Sequence, residues 1–179
     1  MPKDSSCRCQ HCCSWPVKVG HKYEEAICSF CDEVVEEQVI TNYYEVKEEV
    51  EKLLANDEIH VGTGIECLNR MQGLFHPYDL TFMAACQIAL TDYIIENKLE
   101  EGLGIGYVML EVCERMARGS VAQVELVLRM MRLQAELGLK KDMERLAKRG
   151  LSDAHSDPEL CSKIVQFRRL LKHTKANKK

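Results

Sequence analysis

Cysteines near the start of the chain have the spacing of a metal site. Cys9 and Cys12 are separated by two residues, as are Cys28 and Cys31, and fifteen residues lie between the two pairs. This spacing is typical of structural zinc sites. Zn²⁺ prefers four ligands in a tetrahedron, at about 2.3 Å for sulfur. Two residues between paired cysteines allow one tight turn to direct both sulfurs at one ion, so the pattern predicts a structural zinc site.

A second pattern, C-x-C-x-x-C, overlaps the first and adds Cys7. We therefore predict that the metal ligands come from five residues, Cys7, Cys9, Cys12, Cys28 and Cys31. The simplest set is one Zn²⁺ bound by the two C-x-x-C pairs, with Cys7 or Cys13 as a substitute ligand. Two histidines, His11 and His21, are weaker candidates. Which four atoms bind the ion stays open from the sequence.

Other functions for these thiols fit the sequence less well. A catalytic zinc keeps one coordination position open and needs a nearby acid or base. No H-x-E or H-E-x-x-H pattern is present in the chain. A redox role for Cys28 and Cys31 lacks the βαβ context of a thioredoxin-type motif. Free thiols grouped by chance are the remaining alternative. The isolated cysteines are expected to be small buried apolar residues: Cys67, Cys86, Cys113 and Cys161.

Composition narrows the class of protein. Of 179 residues, 46% are hydrophobic and 29% are charged, which is globular composition. The formal net charge of −4 argues against nucleic-acid binding by bulk charge. No apolar stretch reaches the ~18 residues of a membrane span, and no signal peptide is visible. We expect a protein of the cytoplasm, the nucleus or both, without membrane partners and with reduced thiols.

Helical periodicity dominates after the cysteines. Apolar residues at helical spacing predict a first helix at about 42–56, and further helices follow within residues 62–75, 76–98, 100–119, 120–138, 139–150 and 156–173. Ser120 and Gln123 form a capping box. Gly138 and Gly150 are expected to end their helices. The glycines in "EGLGIGYV" fit a helix start or kink better than a phosphate-binding loop, because no strand precedes them.

The predicted fold is mostly α. Helices with short connections favour antiparallel helix hairpins, which are TPR-like in architecture although the full tetratricopeptide signature is absent. We expect a small cysteine-rich zinc module at residues 1–34, with Trp15 and Tyr23 packed inside it. A helical domain at 35–179 would follow, and its basic tail would begin at about residue 172.

The motifs point to a known family. "CRCQHC", at 7–12, resembles the post-SET zinc segment of the SMYD family, the SET- and MYND-domain protein-lysine methyltransferases. "LFHPYDLTFMAACQIALTDYIIENKLEEGLGIGYVMLEVCERM" resembles the family's C-terminal pattern, in which a His-Pro opens a long helix and a helix hairpin follows. The second cysteine pair resembles that of the more divergent members. The resemblance implies a TPR-like helical domain after a post-SET zinc site.

The chain also departs from that family. It has no N-H-x-x-x-P-N segment, no catalytic-tyrosine motif and no MYND finger. In the family the fourth zinc ligand comes from the SET core, so Cys13, Cys28 or Cys31 would have to supply it here. The resemblance therefore implies the C-terminal part of such a protein, without catalytic residues. S-adenosylmethionine would be a cofactor only if a longer chain supplied a SET core.

Two functions follow as expectations. The first is a zinc-binding helical scaffold of SMYD type that frames a substrate channel or binds proteins, including histones or other lysine-containing substrates in a full-length protein. The second is a stand-alone zinc-ribbon adaptor with a helical protein-binding domain. The hypothesis that the chain is an enzyme in its own right has the weakest support, because no nucleophile–base pair stands out in the sequence.

Overall fold

The computed structural model describes residues 6–13, 16–18, 26–28, 30–56, 60–116, 118–155 and 161–176. Two short antiparallel strands, β1 (Ser6–Arg8) and β2 (Pro16–Lys18), pair with Cys7 opposite Val17. The helices are α1 (Glu37–Leu54), α2 (Thr63–Met71), α3 (Leu80–Ile95), α4 (Leu99–Met116), α5 (Val121–Glu136), α6 (Lys140–His155) and α7 (Cys161–Ala176). The predicted mostly α fold with a cysteine-rich segment before the helices is confirmed. No helix in the described ranges has the length and apolarity required to cross a membrane.

The chain forms two compact units, Met1–Glu96 and Asn97–Lys179. The first contains the cysteine segment and α1 to α3, and the second contains α4 to α7. The sequence-based division at residue 34 follows the change in composition, whereas the contacts divide the chain after α3. The grouping arises because the cysteine segment and the first helices share one apolar core.

Aromatic and sulfur-containing side chains form the core of the first unit. The ring of Tyr43 on α1 lies 4.6 Å, centroid to centroid, from the ring of Phe75. Phe75 also pairs with Cys7 in an isolated β-bridge. The side chains of Cys7, Cys67 and Met71 are fully buried in the same core. A thiol behaves here as a small apolar side chain, as predicted for Cys67.

Helices α2 and α3 pack closely at a glycine. A Cβ atom on Gly64 would lie 2.1 Å from the backbone nitrogen of Ala89, so only glycine permits this approach. The amide of Gly64 donates a 2.8 Å hydrogen bond to Oδ2 of the buried Asp92. This bond satisfies a donor in the first turn of α2 and a carboxylate on α3 at the same point.

A buried aspartate starts α3. The resemblance placed the start of this helix at the His-Pro pair, but α3 begins at Leu80 because Asp79 is its N-cap. Oδ1 of Asp79 accepts hydrogen bonds from the amides of Thr81 and Phe82, and Oδ2 accepts one of 2.5 Å from the Tyr43 hydroxyl. Lys47 Nζ lies 4.0 Å from Oδ2. These partners compensate the burial of the carboxylate and connect α1 to α3.

The second unit is a sequence of packed helices in which α4 contacts α5, α5 contacts α6, and α7 contacts both α5 and α6. The predicted capping box at Ser120 is present, because the Ser120 hydroxyl accepts a hydrogen bond from the Gln123 amide. Gln123 Oε1 in turn accepts from the amide of Gly119. Gly138, with φ of 72°, follows α5 as predicted.

One predicted helix end is wrong. Gly150 was expected to stop its helix, but α6 continues through it to His155. A Cβ atom on Gly150 would lie 2.6 Å from the ring of Phe167 on α7 and 2.8 Å from a methyl group of Val127 on α5. The glycine therefore provides space for a helix crossing rather than a helix end. The first helix likewise begins at Glu37, five residues earlier than predicted.

Candidate metal centre

The two C-x-x-C pairs lie together in the first unit. The Sγ atoms of Cys9, Cys12, Cys28 and Cys31 are all within 4.8 Å of one another. Sγ of Cys9 is 3.6 Å from Sγ of Cys31, and Sγ of Cys12 is 3.8 Å from Sγ of Cys28. These contacts cross between the pairs, so the four sulfurs form one compact cluster. We call it the four-cysteine cluster.

The two cysteine pairs lie on turns with the same backbone hydrogen-bonding pattern. The amide of Cys13 donates to the carbonyl oxygen of Cys9 (3.0 Å), and the amide of Asp32 donates to that of Cys28 (2.9 Å). Cys13 and Asp32 both adopt positive φ, 54° and 56°. A residue in this left-handed conformation reverses the chain after the second cysteine of each pair. Both thiols of a pair are thereby directed to one side, and we call these two turns the first and second knuckle.

Short antiparallel pairings support both knuckles. Strands β1 and β2 flank the first knuckle. Around the second, the amide of Cys28 donates to the carbonyl oxygen of Glu33, and the amide of Val35 donates to that of Ala26. Each knuckle is therefore held between two short antiparallel segments.

The first knuckle is also attached to the helices. The amide of Arg8 donates a 2.8 Å hydrogen bond to the carbonyl oxygen of Leu74, in the connection between α2 and α3. Cys9 and Cys28 are buried, whereas Cys12 and Cys31 are partly exposed. The cluster therefore lies at the edge of the core of the first unit, with one side toward solvent.

The sulfur–sulfur distances in the cluster fit a metal ion with tetrahedral coordination. Four sulfurs bound at about 2.3 Å lie at the corners of a tetrahedron with edges of about 3.8 Å. The two Sγ–Sγ distances of 3.6 and 3.8 Å match this edge and are far longer than a disulfide bond. The four cysteines could therefore hold a metal ion without movement of the backbone.

The thiol pKa values respond to this crowding. Burial raises the pKa of Cys28, but hydrogen bonds with the amides of Cys31 and Phe30 and with the thiols of Cys31 and Cys9 outweigh it and lower the pKa to about 7. The amide of Glu33 lowers the pKa of Cys31, yet burial and the neighbouring thiols raise it to about 12. The Cys28 thiol thus ionises readily, whereas burial and the neighbouring thiols oppose ionisation of Cys31. A divalent cation would remove that opposition.

The other predicted candidates lie outside the cluster. Cys7 faces the core, and burial raises its pKa to about 11, which disfavours a thiolate there. Cys13 is exposed, and its thiol lies 3.6 Å from the carbonyl oxygen of Gln10. The His11 side chain is 64% exposed and 3.9 Å from Glu33. His21, Trp15 and Tyr23 fall outside the described residues.

The sequence did not indicate which residues hold the four-cysteine cluster in position. The positive φ at Asp32 has a weak signal, since aspartate tolerates this conformation better than most residues. Nothing local marked the contact of Cys7 with Phe75, because it joins distant parts of the chain. No protein-family model matches the sequence, and no curated protein shows significant similarity to it.

Proposed function

We propose that the four-cysteine cluster binds one structural Zn²⁺ and that the chain is a zinc-stabilised helical scaffold for protein partners. The observation that supports the zinc most directly is the approach of four thiols from two knuckles to within 4.8 Å of one another. Zn²⁺ is the preferred ion for a four-thiolate tetrahedron in a structural site. Four protein ligands close the coordination shell, so the site would leave no position for a substrate.

The bound Zn²⁺ would stabilise the folded state of the cysteine segment. The described residues of the cysteine segment form only short strands and isolated bridges. A segment this short can bury little apolar surface by itself, without the helices, so metal binding would supply much of its folding free energy. Through Cys7 and Arg8 the same segment contacts the connection between α2 and α3. The zinc would therefore hold the first knuckle against the helical core.

We further propose that this scaffold corresponds to the post-SET and C-terminal helical region of a SMYD-type methyltransferase. The order of the C-x-C-x-x-C segment, the second cysteine pair and the helices supports this assignment. Methyl transfer from S-adenosylmethionine to lysine would belong to a SET core, and none of the present residues is assigned to it. The helical region would frame a substrate channel or bind partner proteins, including lysine-containing ones, in the cytoplasm, the nucleus or both.

The cluster itself favours a second candidate, a stand-alone zinc-ribbon adaptor. In the SMYD pattern three ligands come from C-x-C-x-x-C and the fourth from the SET core. Here Cys28 and Cys31 complete a group of four with Cys9 and Cys12, and Cys7 is not part of it. A site that is complete within this chain fits a module that folds without a SET domain.

Cobalt substitution tests the zinc proposal and separates the two ligand sets. Co²⁺ replaces Zn²⁺ in thiolate sites, and its sulfur-to-metal charge-transfer absorption grows with the number of bound thiolates. We expect a four-thiolate spectrum from the wild-type chain and an unchanged spectrum from Cys7→Ala. A Cys7→Ala spectrum with one thiolate fewer would favour the SMYD ligand set. Absence of any tetrahedral cobalt spectrum would refute the metal site.

A further inference from the structure

A cavity of about 320 Å³ opens beside the first knuckle. Residues 9–11 of that knuckle form one wall, and residues 33–36 with Val39, at the start of α1, form the other. We call it the knuckle cavity. Since its walls come from two parts of the chain that the four-cysteine cluster brings together, its shape depends on the order of that cluster.

The cavity combines apolar walls with two carboxylates. Val34, Val35 and Val39 supply the apolar surface, and Glu33 and Glu36 supply the charges. Glu36 is the N-cap residue of α1, but its side chain makes no capping hydrogen bond. The contact of Glu33 with the imidazole of His11, at 3.9 Å, is longer than a hydrogen bond and is exposed to solvent. A cation with better geometry could replace it.

Exposed apolar side chains are also present in the second knuckle and its flanking residues. Val34 is 52% exposed, Ile27 is 51% exposed and Phe30 is 64% exposed. Ile27 and Val34 are partners in an antiparallel β-bridge, so their side chains lie on the same side of the hairpin. Apolar side chains that cluster on a surface beside a cavity are typical of protein-binding sites rather than of sites for free ions.

The negative net charge of the first unit favours a cationic partner. Residues 1–96 contain 17 Asp and Glu against 7 Lys and Arg, a formal charge of −10. This field attracts basic segments and repels acidic ones. The cavity is thus an apolar pocket with an acidic lining, on a strongly acidic unit.

We propose that the knuckle cavity binds the guanidinium of an arginine presented by a partner protein, whose neighbouring apolar side chains contact Ile27 and Phe30. Arginine fits better than lysine for two reasons. Its planar, weakly hydrated head can donate to two carboxylates at once. Its methylene stem can lie against the three valines. This arginine site is separate from the proposed zinc site, although its walls include residues next to the cysteines that the zinc would hold in place.

The test is an NMR titration of the ¹⁵N-labelled full chain with three amino-acid amides. The probes are N-acetyl-arginine methylamide, the lysine analogue, and the citrulline analogue, which keeps the arginine shape without the charge. We expect saturable shifts at residues 33–39 with arginine, weaker binding with lysine and none with citrulline. The Glu33→Gln/Glu36→Gln variant should weaken arginine binding about tenfold or more. Glu45→Gln/Glu48→Gln removes two charges from the exposed side of α1 and should change it less than about twofold.

Several results would overturn the proposal. These are arginine shifts spread over all acidic surfaces, equal losses in the two double variants, or equal binding of lysine and arginine. Shifts at residues 33–39 that grow with protein concentration in the absence of any probe would assign the cavity to a second copy of the chain. Zinc content is measured on the same samples, so failure of the metal site and failure of arginine binding are separate results.

Discussion

The amide of Arg8 donates a 2.8 Å hydrogen bond to the carbonyl oxygen of Leu74, although one residue precedes the first knuckle and the other follows α2. The neighbouring Cys7 and Phe75 form a β-bridge at the same place. The cysteine segment is therefore part of the core of the first unit. A metal bound to the knuckles would influence the stability of α1 to α3 as well as its own loop.

Removal of the metal should therefore lower the stability of α1 to α3. An ion present at 1,000 times its dissociation constant adds about 4 kcal/mol to the folded state. For a chain of this size, chelation is expected to lower the midpoint of the helical transition by roughly 10 °C. Circular dichroism at the helical band, with Trp15 fluorescence as a reporter in the cysteine segment, measures both parts. A change in fluorescence with an unchanged helical midpoint would contradict the coupling.

The crossing of α2 and α3 should not tolerate a methyl group at Gly64. The added Cβ would lie 2.1 Å from the backbone of Ala89 and would disturb the hydrogen bond to Asp92. Overpacking and the lost bond together are expected to cost at least about 3 kcal/mol in Gly64→Ala. Hydrogen exchange of α2 and α3 measures this loss.

Gly104→Ala is the matched control for the glycine prediction. Gly104 lies within α4, and a Cβ atom there would have no neighbour within 4 Å. Alanine should stabilise this helix by about 0.5–1 kcal/mol, because glycine loses more backbone entropy on folding. Equal effects at the two positions would show that the close approach at Gly64 does not limit the fold.

The bond between Tyr43 and Asp79 should contribute measurably to stability. Tyr43→Phe removes the hydroxyl that donates to Oδ2 and leaves the buried carboxylate with fewer partners. We expect a loss of about 1–3 kcal/mol in urea unfolding. Tyr78→Phe, next to the same aspartate, keeps its ring against His76 and should change stability by less than about 0.5 kcal/mol. A smaller loss for Tyr43→Phe than for Tyr78→Phe would refute the role of the bond.

Cys13 should be dispensable for metal binding. Its thiol is exposed and outside the four-cysteine cluster, and its φ of 54° suits glycine better than cysteine. Cys13→Gly is expected to retain a full equivalent of zinc, with thermal stability equal to or above that of the wild type. Loss of zinc from this variant would make Cys13 a ligand and would require a rearranged first knuckle.

The sequence predicted the features that depend on local spacing. Helical periodicity, the capping box at Ser120 and the two C-x-x-C pairs all involve residues within a few positions of each other. The set of four sulfurs could not be chosen this way. Cys7 has a metal-site spacing like the clustered thiols, and it lies outside the cluster in a β-bridge with Phe75, far along the chain.

Long-range packing explains the error at the end of α6. Gly150 has the local signature of a helix end, but its small size permits the crossing with Phe167. The start of α3 is different, because Asp79 has the local signal of an N-cap and its carboxylate accepts from the amides of Thr81 and Phe82. Only its bond to Tyr43 on another helix has no local signal.

Zinc content of the purified chain and of two serine variants tests the four-cysteine zinc site most directly. The protein is expressed with added zinc, exchanged into metal-free buffer and analysed by native mass spectrometry. We expect one zinc per chain for the wild type and loss of tight zinc binding in Cys12→Ser and Cys31→Ser, each of which removes the partly exposed thiol of one knuckle. Less than about half an equivalent in the wild type, or full zinc retention in both variants, would contradict a four-cysteine zinc site.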